Sequence, residues 1–295
     1  MKNQGRAFAR PFFLQSRQYT CYGFRPLGYN CSMDILTWKS RLQDLPLGDI
    51  HIHQQVGSTN HEAQLLAQEG APNLSLVLAD FQSAGKGRQG RTWVTSEGKA
   101  LAFSLIIYPD PGLINQENLG KLSGLAALSV SEALANNYHL PAEIKWPNDV
   151  LINGKKVCGI LVDLNWTGTN LDFVILGIGI NVCQGSVPRD LELEFPAASL
   201  EEILGKEISR LDLLIQVLEE LIRWYPEIPF DHFITSWQEN LAFANQEIVL
   251  QSGDKDLDQG KILGISRDGS LILLSGSGEQ RTYQSGEIRL RPVDR

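Results

Sequence analysis

The segment 82–93, QSAGKGRQGRTW, contains the residues whose types and spacing are best suited to chemistry. It combines three glycines with three cations, namely Gly85, Gly87, Gly90, Lys86, Arg88 and Arg91. Glycines let backbone amides approach a ligand closely, and clustered cations bind an anion. The segment is therefore predicted to be a flexible anion-binding loop.

Two familiar nucleotide-binding motifs match this segment only in part. A P-loop needs Ser or Thr after its lysine and Gly five positions before it, whereas Gly87 and Phe81 occupy those places. The glycine spacing also satisfies the dinucleotide-binding fingerprint, but that turn opens a helix, and the residues after Gly90 favour a strand. Neither of these nucleotide-binding folds is predicted.

A solvated glycine-rich hairpin with incidental charge is the alternative for this segment. Clustered like charge on a long polar loop is costly unless an anion neutralises it, which favours the anion-binding interpretation. A nucleic-acid site would need basic or aromatic reinforcement elsewhere. The chain has 26 Lys and Arg against 34 Asp and Glu, a net charge of −8, which argues against a protein that coats DNA or RNA.

Length and composition are those of a globular protein. The chain has 295 residues, of which 43% are hydrophobic, and this suffices for a large packed core. No run approaches the ~18 consecutive apolar residues that a membrane span needs. We therefore expect no membrane association and a cytoplasmic location.

Residues 1–32 differ in charge from the rest of the chain. They carry five basic side chains and no acidic one, and they end just before Met33. They show neither regular periodicity nor the apolar core of a secretory signal. We expect a basic, disordered tail or a start codon placed too early, with the true start at Met33.

A second informative segment is KWPND at 145–149, followed by Lys156 across an Asn-Gly turn at 153–154. Asn-Gly predicts a type I′ hairpin, in which Lys156 lies opposite Leu151 and near the Asn-Asp pair. The alternative is a Trp146 packed in the core, an ordinary Asn-Asp turn and a solvated lysine. Taken alone, this segment favours the alternative.

Metal and disulfide sites are not predicted. The four cysteines lack CxxC spacing, and they are Cys21, Cys31, Cys158 and Cys183. His51 and His53 could share one strand face as metal ligands, but the sequence shows no third ligand for them.

Periodicity and turn residues predict a mixed chain from Met33 onward. Helices are expected from Ser58-Thr59, over 118–137, after Ser199, over 209–225 and over about 230–240. Strands are expected over 74–81, 143–146, 149–152, 156–165 and 171–182, and a strand system is expected over 92–108. Capping boxes are indicated by the spacing of Thr59 with Glu62 and of Ser199 with Glu202. Consecutive strands joined by short turns imply a largely antiparallel sheet.

The sequence pattern changes after Ala244, where short predicted strands alternate with turn residues. This pattern is typical of a small β-barrel or sandwich. We therefore predict two domains, 33–243 and 244–295, with the boundary near residue 243.

Four motifs, in this order and spacing, resemble those of the biotin–protein ligases: GKGRQGRTW (85–93), KWPND (145–149), KKVCGILVD (155–163) and GIGINV (177–182). The closing SGEIRLR (285–291) is similar to the end of the family's C-terminal SH3-like domain. The resemblance covers about residues 50–291 and implies an α+β fold, with a class II aminoacyl-tRNA synthetase-like catalytic domain. Lys86 stands where the family usually has Arg, which retains charge but not bidentate phosphate binding.

The resemblance implies a two-step reaction. Biotin and ATP form biotinoyl-5′-AMP and pyrophosphate, and a lysine of the biotin carboxyl carrier protein of acetyl-CoA carboxylase then attacks the mixed anhydride. Mg²⁺ would accompany the ATP, with Asp149 as the candidate residue near it. Since two anions must meet, the site has to supply positive charge. The implied catalytic residues are Lys156, Arg88 and Lys145, of which Lys156 would bridge the biotin carboxylate and the α-phosphate.

The resemblance also implies two sets of binding residues. Biotin would contact Ser58, Thr59, Asn60, Gln82, Lys86, Gly87, Arg88, Lys156 and Gly159. ATP and the adenylate would contact Gly85, Lys86, Arg88, Arg91, Trp93, Asn148, Asp149, Lys156 and Asn181. Trp93 would pack over the adenine or fold the loop. Residue type alone favours a simple helix cap for Ser58 and Thr59, and both roles can coexist if Thr59 caps while Ser58 faces the ligand.

Two other functions remain open on the sequence. A lipoate–protein ligase shares the fold and the acyl-adenylate chemistry, and a non-catalytic biotin-responsive regulator could use the same scaffold. No helix-turn-helix pattern is found in this sequence, which resembles the monofunctional class without repressor activity. We expect a monomer or homodimer with no nucleic-acid partner, and a segment 82–93 that is mobile until a ligand binds.

Overall fold

Two β-sheets organise the part of the chain that the computed structural model describes, residues 33–94, 96–116, 118–188, 195–253, 255–285 and 288–292. The expectations for residues 1–32, including Cys21 and Cys31, lie outside these residues. The first sheet contains β1 (Ile50–Val56), β2 (Leu76–Gln82), β3 (Ala100–Ile107), β4 (Glu143–Lys145), β5 (Asp149–Ile152), β6 (Lys155–Thr167) and β7 (Asn170–Asn181). Its strand order is β1-β2-β3-β7-β6-β5-β4. Among the seven strands of this sheet in the described residues, only β1 and β2 pair in parallel, so the largely antiparallel sheet is confirmed.

Helices cover both faces of this sheet. They are α1 (Ile35–Leu42), α2 (Thr59–Gln68), α3 (Leu122–Tyr138), α4 (Leu200–Leu204), α5 (Arg210–Trp224) and α6 (Asp231–Glu239). The apolar side of α2 packs on one face through Ala63 and Ala67. The other face carries the larger core, to which α3 and α5 contribute. Because α3 is apolar on nearly all sides, it is almost completely buried.

The hairpin between β5 and β6 forms as its sequence predicts. Asn153 and Gly154 have φ values of +51° and +69°, the left-handed conformations of a type I′ turn. The register places Lys156 opposite Leu151. A two-residue loop leaves the pairing almost no freedom, which is why local sequence could specify it.

Two local predictions are wrong. The strand system expected over 92–108 begins only at Ala100, since residues 97–99 form a turn. The capping box of Thr59 and Glu62 does not form: Ser58 occupies the N-cap without a side-chain hydrogen bond, and the Thr59 hydroxyl contacts Gln82 instead. Gln82 on β2 has thus replaced Glu62 as the partner of Thr59. By contrast, Ser199 and Glu202 form both arms of their capping box.

The second sheet is antiparallel and begins at Glu247. It contains β8 (Glu247–Ser252), β9 (Lys255–Ile265), β10 (Leu271–Ser275), β11 (Gln280–Tyr283) and β12 (Ile288–Pro292), in the order β11-β10-β9-β8-β12. The fully buried Trp146 donates its indole N–H to the Gly269 carbonyl at 3.1 Å, which ties this sheet to the end of β4. The fold class, α+β with a small SH3-like C-terminal sheet, is confirmed.

Among the described helices, none is both long and apolar enough to cross a lipid bilayer.

Candidate active site

A cavity of about 230 Å³ opens where the four sequence motifs meet. Nearly all the predicted site residues line it, namely Ser58, Thr59, Asn60, Gln82, Lys86, Gly87, Arg88, Arg91, Trp93, Lys145, Asn148, Asp149, Lys156, Gly159 and Asn181. Gly85 is the exception, and it lies in the adjoining wall, where its carbonyl accepts from the Trp93 amide at 2.9 Å. Segments that are far apart in the sequence are thus brought together around one space.

The segment 82–93 is a closed hairpin. Lys86 bridges to Thr92, and the Gly87 amide donates to the Arg91 carbonyl at 2.7 Å. A 3₁₀ turn at Arg88–Gly90 forms its tip. A Cβ on Gly85 would lie 2.4 Å from the Trp93 carbonyl oxygen, so this close approach requires glycine. The segment is therefore a hairpin that carries the predicted cluster of cations.

Asp149 lies between two lysines at one end of the cavity. Lys156 Nζ lies 2.6 Å from Asp149 Oδ1, and Lys145 Nζ lies 3.4 Å from Asp149 Oδ2. The sheet explains this arrangement, because Lys145 pairs with Asp149 across β4 and β5, and Lys156 follows on β6. One carboxylate between two ammonium groups leaves a surplus positive charge.

Burial and the two lysines act in opposite directions on Asp149. Burial alone would raise the pKa of this carboxyl, but the charges and hydrogen bonds of Lys156 and Lys145 outweigh it and lower the pKa below its usual range. Burial also lowers the pKa of Lys145, which the charge of Asp149 partly offsets. The Lys156 side chain is 25% exposed against 6% for Lys145. Lys156 is therefore the ammonium that an anion in the cavity meets first.

Arg88 links the hairpin to the turn between β4 and β5 and to the segment between β11 and β12. Its Nη1 donates to Asn148 Oδ1 at 2.9 Å, and its Nη2 donates to the carbonyl of Ser285 in the C-terminal region. The Asn148 side chain is oriented by a second hydrogen bond, from Nδ2 to the Ile160 carbonyl at 2.9 Å. Arg88 thus holds the tip of the hairpin over the cavity.

The Trp93 indole lies on a strip of sheet that has no side chains. A Cβ on Gly179 would lie 2.6 Å from its ring, and one on Gly159 would lie 3.1 Å from it. Lys156 Nζ lies 5.7 Å from the ring centroid. In this structure Trp93 folds the hairpin onto β6 and β7, and its indole nitrogen is buried without a hydrogen-bond partner among the described residues.

Uncharged polar groups form the other end of the cavity. Gln82 Oε1 accepts from the Thr59 amide at 2.8 Å and lies 3.1 Å from Thr59 Oγ1. Ser58, Thr59 and Asn60 are each buried at the start of α2. Asn60 lies against Gly177, where a Cβ would come within 2.0 Å of its amide oxygen.

Sequence reasoning missed several residues of the site. Ser104 lies behind Thr59 and Asn60, and Asp163 contacts Asn60. A single polar residue in the apolar strand ALAFSLII was an available signal for Ser104. Gly177 and Gly179 were visible only as part of a motif, although glycines two apart in a strand leave one face bare. Phe195 and Arg291 also line the cavity, and no local pattern indicated them.

No cluster of three or more His, Cys, Asp or Glu side chains able to hold a metal ion occurs within the described ranges. Cys158 and Cys183 are buried thiols, and burial raises the pKa of Cys158.

Comparisons with known proteins agree with this geometry. The model of the biotin/lipoate A/B protein ligase family matches residues 53–181, and that of the biotin protein ligase C-terminal domain matches residues 243–291. The bifunctional ligase/repressor BirA of Bacillus subtilis (strain 168) is 35% identical over 243 residues, which cover 81% of this chain and 73% of that protein. The biotin–[acetyl-CoA-carboxylase] ligase of Paracoccus denitrificans is 33% identical over 229 residues, 76% of this chain and 93% of that protein.

A solved structure has a similar fold. The biotin protein ligase from Aquifex aeolicus in complex with biotin and ATP matches with a TM-score of 0.71 at 32% identity, covering 83% of this chain and 99% of that one. The chain therefore belongs to the biotin protein ligase family and is a ligase enzyme.

Proposed function

We propose that the chain uses ATP to activate biotin as biotinoyl-5′-AMP and then transfers biotin to one lysine of the biotin carboxyl carrier protein of acetyl-CoA carboxylase. The observation that carries this proposal is the Lys156–Asp149–Lys145 cluster, which leaves a surplus positive charge at one end of a cavity whose other end is polar and uncharged. A substrate with a carboxylate at one end and a neutral polar ring at the other fits that distribution. Biotin is such a substrate, and the Aquifex aeolicus relative was solved with biotin and ATP.

In the first step, a carboxylate oxygen of biotin bonds to the α-phosphorus of ATP, and the bond from that phosphorus to the pyrophosphate oxygen breaks. Lys156 contacts both anions and reduces their repulsion, which is the main barrier to their approach. Asp149 holds Lys156 in place, and Lys145 adds charge from behind. No covalent nucleophile from the protein is required.

The hairpin supplies the phosphate contacts. Lys86, Arg88 and Arg91 carry its positive charge beside the cavity, and Gly87 lets the backbone approach the phosphates closely. Asn148 and Asn181 contact the nucleotide end. Because Lys86 lacks the fork of an arginine, it acts as a point charge on the phosphates.

Mg²⁺ enters with ATP as part of the substrate. Both oxygens of Asp149 already pair with lysines in a buried position. The residues present therefore fit an ion held by phosphate oxygens and water better than one held by Asp149.

The biotin ring occupies the polar end, where Ser58, Thr59 and Gln82 supply donors and acceptors in a dry pocket. Asn60 and Gly159 border the same space. In the second step, the neutral amine of the acceptor lysine attacks the acyl carbon. The acyl–oxygen bond breaks, AMP leaves with that oxygen, and the excess proton passes to solvent.

The direct test is incubation of the full chain with biotin, ATP, Mg²⁺ and an isolated carrier domain, followed by intact-mass measurement. We expect an adduct of one biotin per carrier domain, which requires ATP and the acceptor lysine. A carrier with that lysine changed to Arg is the matched control. Absence of the adduct with a folded chain would overturn the proposal.

Exchange of labelled pyrophosphate into ATP separates the two acids that this fold can activate. We expect exchange that depends on biotin and not on lipoate. The match of residues 243–291 to the biotin protein ligase C-terminal domain supports this expectation.

We propose further that the chain has no repressor activity. Ahead of β1, the described residues contain a single helix, α1, with no second helix to form a DNA-reading pair. A gel-shift experiment with DNA upstream of the biotin-synthesis genes, at modest salt and with biotin and ATP present, should show no specific complex. A specific shift would contradict this part of the proposal.

A further inference from the structure

A continuous chain of polar side chains runs behind the uncharged end of the cavity. Asp163 Oδ2 accepts from Asn60 Nδ2 at 2.8 Å, and Asn60 Oδ1 lies 2.7 Å from Ser104 Oγ. Ser104 Oγ lies 2.8 Å from Thr59 Oγ1, which lies 3.1 Å from Gln82 Oε1. Three strands and the start of α2 contribute to this chain, and Asn60, Ser104 and Thr59 are all buried within it.

The orientation of Asn60 is fixed by chemistry. A carboxylate only accepts hydrogen bonds, so the amide nitrogen of Asn60 must face Asp163. The Leu161 carbonyl, 3.5 Å away, lies on the same side. The amide oxygen of Asn60 therefore faces Ser104.

The orientation of Gln82 is fixed in the same way. The Thr59 backbone N–H donates to it at 2.8 Å, so the atom facing Thr59 is the amide oxygen.

Three arrangements of the hydroxyl protons are compatible with these fixed amides, because the protons of Ser104 and Thr59 must serve three oxygen–oxygen contacts. In the first, Ser104 donates to Asn60 and Thr59 donates to Ser104, because each hydroxyl has one proton. Thr59 Oγ1 and Gln82 Oε1 then form a pair of acceptors 3.1 Å apart with no proton between them. In the second, Ser104 donates to Thr59 and Thr59 donates to Gln82, which leaves Asn60 Oδ1 without its donor. In the third, Ser104 donates to Asn60 and Thr59 donates to Gln82, which leaves Ser104 Oγ and Thr59 Oγ1 facing each other at 2.8 Å without a proton.

The charge of Asp163 disfavours the second arrangement, because it favours donation from Ser104 to Asn60, which the first and third arrangements share. An anion bound to the nitrogen side of an amide polarises it, so that the oxygen side becomes a stronger acceptor for Ser104. A ligand decides between these two. In the first, the proton-free pair of Thr59 and Gln82 borders the cavity, so an N–H from outside the protein completes it. In the third, the proton-free pair includes Ser104, which is buried and does not line the cavity. The ureido ring of biotin offers the N–H that completes the first arrangement.

We propose that Asp163 is a positioning residue that sets the proton order through Asn60 and Ser104, so that Thr59 and Gln82 together accept a ring N–H of biotin. This inference rests on the proposed function, and it deepens that function by assigning a residue behind the ligand pocket to ring recognition. Asp163 touches neither the ligand nor the reacting atoms.

The test compares Asp163→Asn with Ser104→Ala by steady-state kinetics and by calorimetric binding of biotin alone. Asp163→Asn keeps an oxygen that accepts from Asn60 and removes only the charge, so we expect the KM for biotin to rise about fivefold. Ser104→Ala interrupts the chain, and we expect about tenfold. In both variants, kcat and the KM for ATP should stay at the wild-type values. The matched control is Asp172→Asn. Asp172 is an exposed carboxylate on β7, next to the β6 strand that carries Asp163, and it contacts Thr167. We expect no change in the KM for biotin for this variant.

The double variant Asp163→Asn/Ser104→Ala gives the sharper readout. Once Ser104 is lost, the charge of Asp163 no longer reaches Thr59, so the double variant should match Ser104→Ala alone rather than the product of both effects. Independent, multiplying effects would overturn the inference. So would an unchanged KM for biotin in Asp163→Asn, or a parallel loss in kcat, both KM values and melting temperature, which indicates a purely structural role. If the wild type forms no biotin adduct at all, it is the proposed function that fails.

Discussion

The two ends of the cavity handle charge in opposite ways. At the phosphate end, charged groups stand at or just behind the surface, with Lys156 facing the space and Asp149 and Lys145 at its back. At the ring end, the lining is neutral, and the carboxylate of Asp163 is set back behind Asn60. The two ends lie along the same strand, about 16 Å apart between residues 156 and 161.

This difference follows from what each end must bind. Anions require opposite charge close at hand, because Coulomb attraction is strong where water is excluded. A neutral ring requires donors and acceptors in the correct order, and a bare charge beside it would have to be desolvated without a partner. One β-sheet therefore supports both kinds of recognition by placing charge at different depths.

The largest expected effect is on catalysis at the phosphate end. Lys156→Ala should lower the rate of biotin-dependent pyrophosphate exchange about 10³-fold, because the charge between the two reacting anions is lost. Lys155→Ala is the matched control, since that lysine is the exposed neighbour on the same strand, and it should exchange at the wild-type rate. An equal loss of exchange rate in both variants would show that Lys156 has no special role at the phosphate end.

A second effect concerns stability at the same end. Asp149→Asn leaves two lysines without their carboxylate, and we expect a loss of about 3 kcal/mol in unfolding free energy at pH 7. The folded-state pKa of Asp149 lies below its ordinary value of 3.8, so the wild-type advantage is complete above about pH 4 and is lost as the pH falls further.

Urea unfolding of both proteins between pH 3 and pH 7 measures this dependence. The two stability curves should converge toward the acid end. Curves that stay parallel across the range would show that Asp149 does not provide the stabilisation.

A smaller effect is expected at the hairpin tip. Arg88→Gly removes the hydrogen bonds to Asn148 and to the Ser285 carbonyl, so the hairpin should retain the adenylate less well. We expect about a tenfold rise in labelling of lysines on bystander proteins, measured by peptide mass spectrometry. Arg267→Gly, which removes an exposed arginine paired with Asp231, serves as the control. Unchanged labelling specificity would show that Arg88 does not help to retain the adenylate.

The smallest effect concerns the motion of the hairpin. Its backbone hydrogen bonds already close it, so ligand should add only modest order. We expect amides of residues 86–92 to exchange about fivefold more slowly with biotin and ATP bound, while β3 exchanges unchanged. Equal protection of the hairpin with and without ligand would contradict the prediction that it is mobile until a ligand binds.

Much of the phosphate end could be predicted because its geometry is local. The Asn153–Gly154 turn fixes the pairing of β5 with β6, and the position of Lys156 follows from counting residues. The cation cluster of residues 82–93 is likewise visible in the sequence, although its glycines predicted a flexible loop and the structure shows a closed hairpin. Elements whose conformation depends on neighbouring residues are accessible from a single sequence.

The ring end resisted prediction because its contacts are distant in the chain. Thr59 meets Gln82 across 23 residues, and Asn60 meets Asp163 across 103. The local pattern even pointed elsewhere, since Thr59 and Glu62 have the spacing of a capping box that does not form. A buried hydroxyl forms a hydrogen bond with whichever partner the packed fold places beside it. That partner cannot be identified from the ten or so residues around it in the sequence.

The sequence by itself determined the composition of the site, the β5–β6 hairpin and the largely antiparallel order of the central sheet. Only the tertiary structure decided that Trp93 lies on Gly159 and Gly179, that Arg88 reaches Ser285, and that Asp163 stands behind Asn60. The physical reason is one of range. Turn geometry and periodicity act over a few residues, whereas the direction of a hydrogen bond inside a core is set by whichever groups the packed strands bring within about 3 Å.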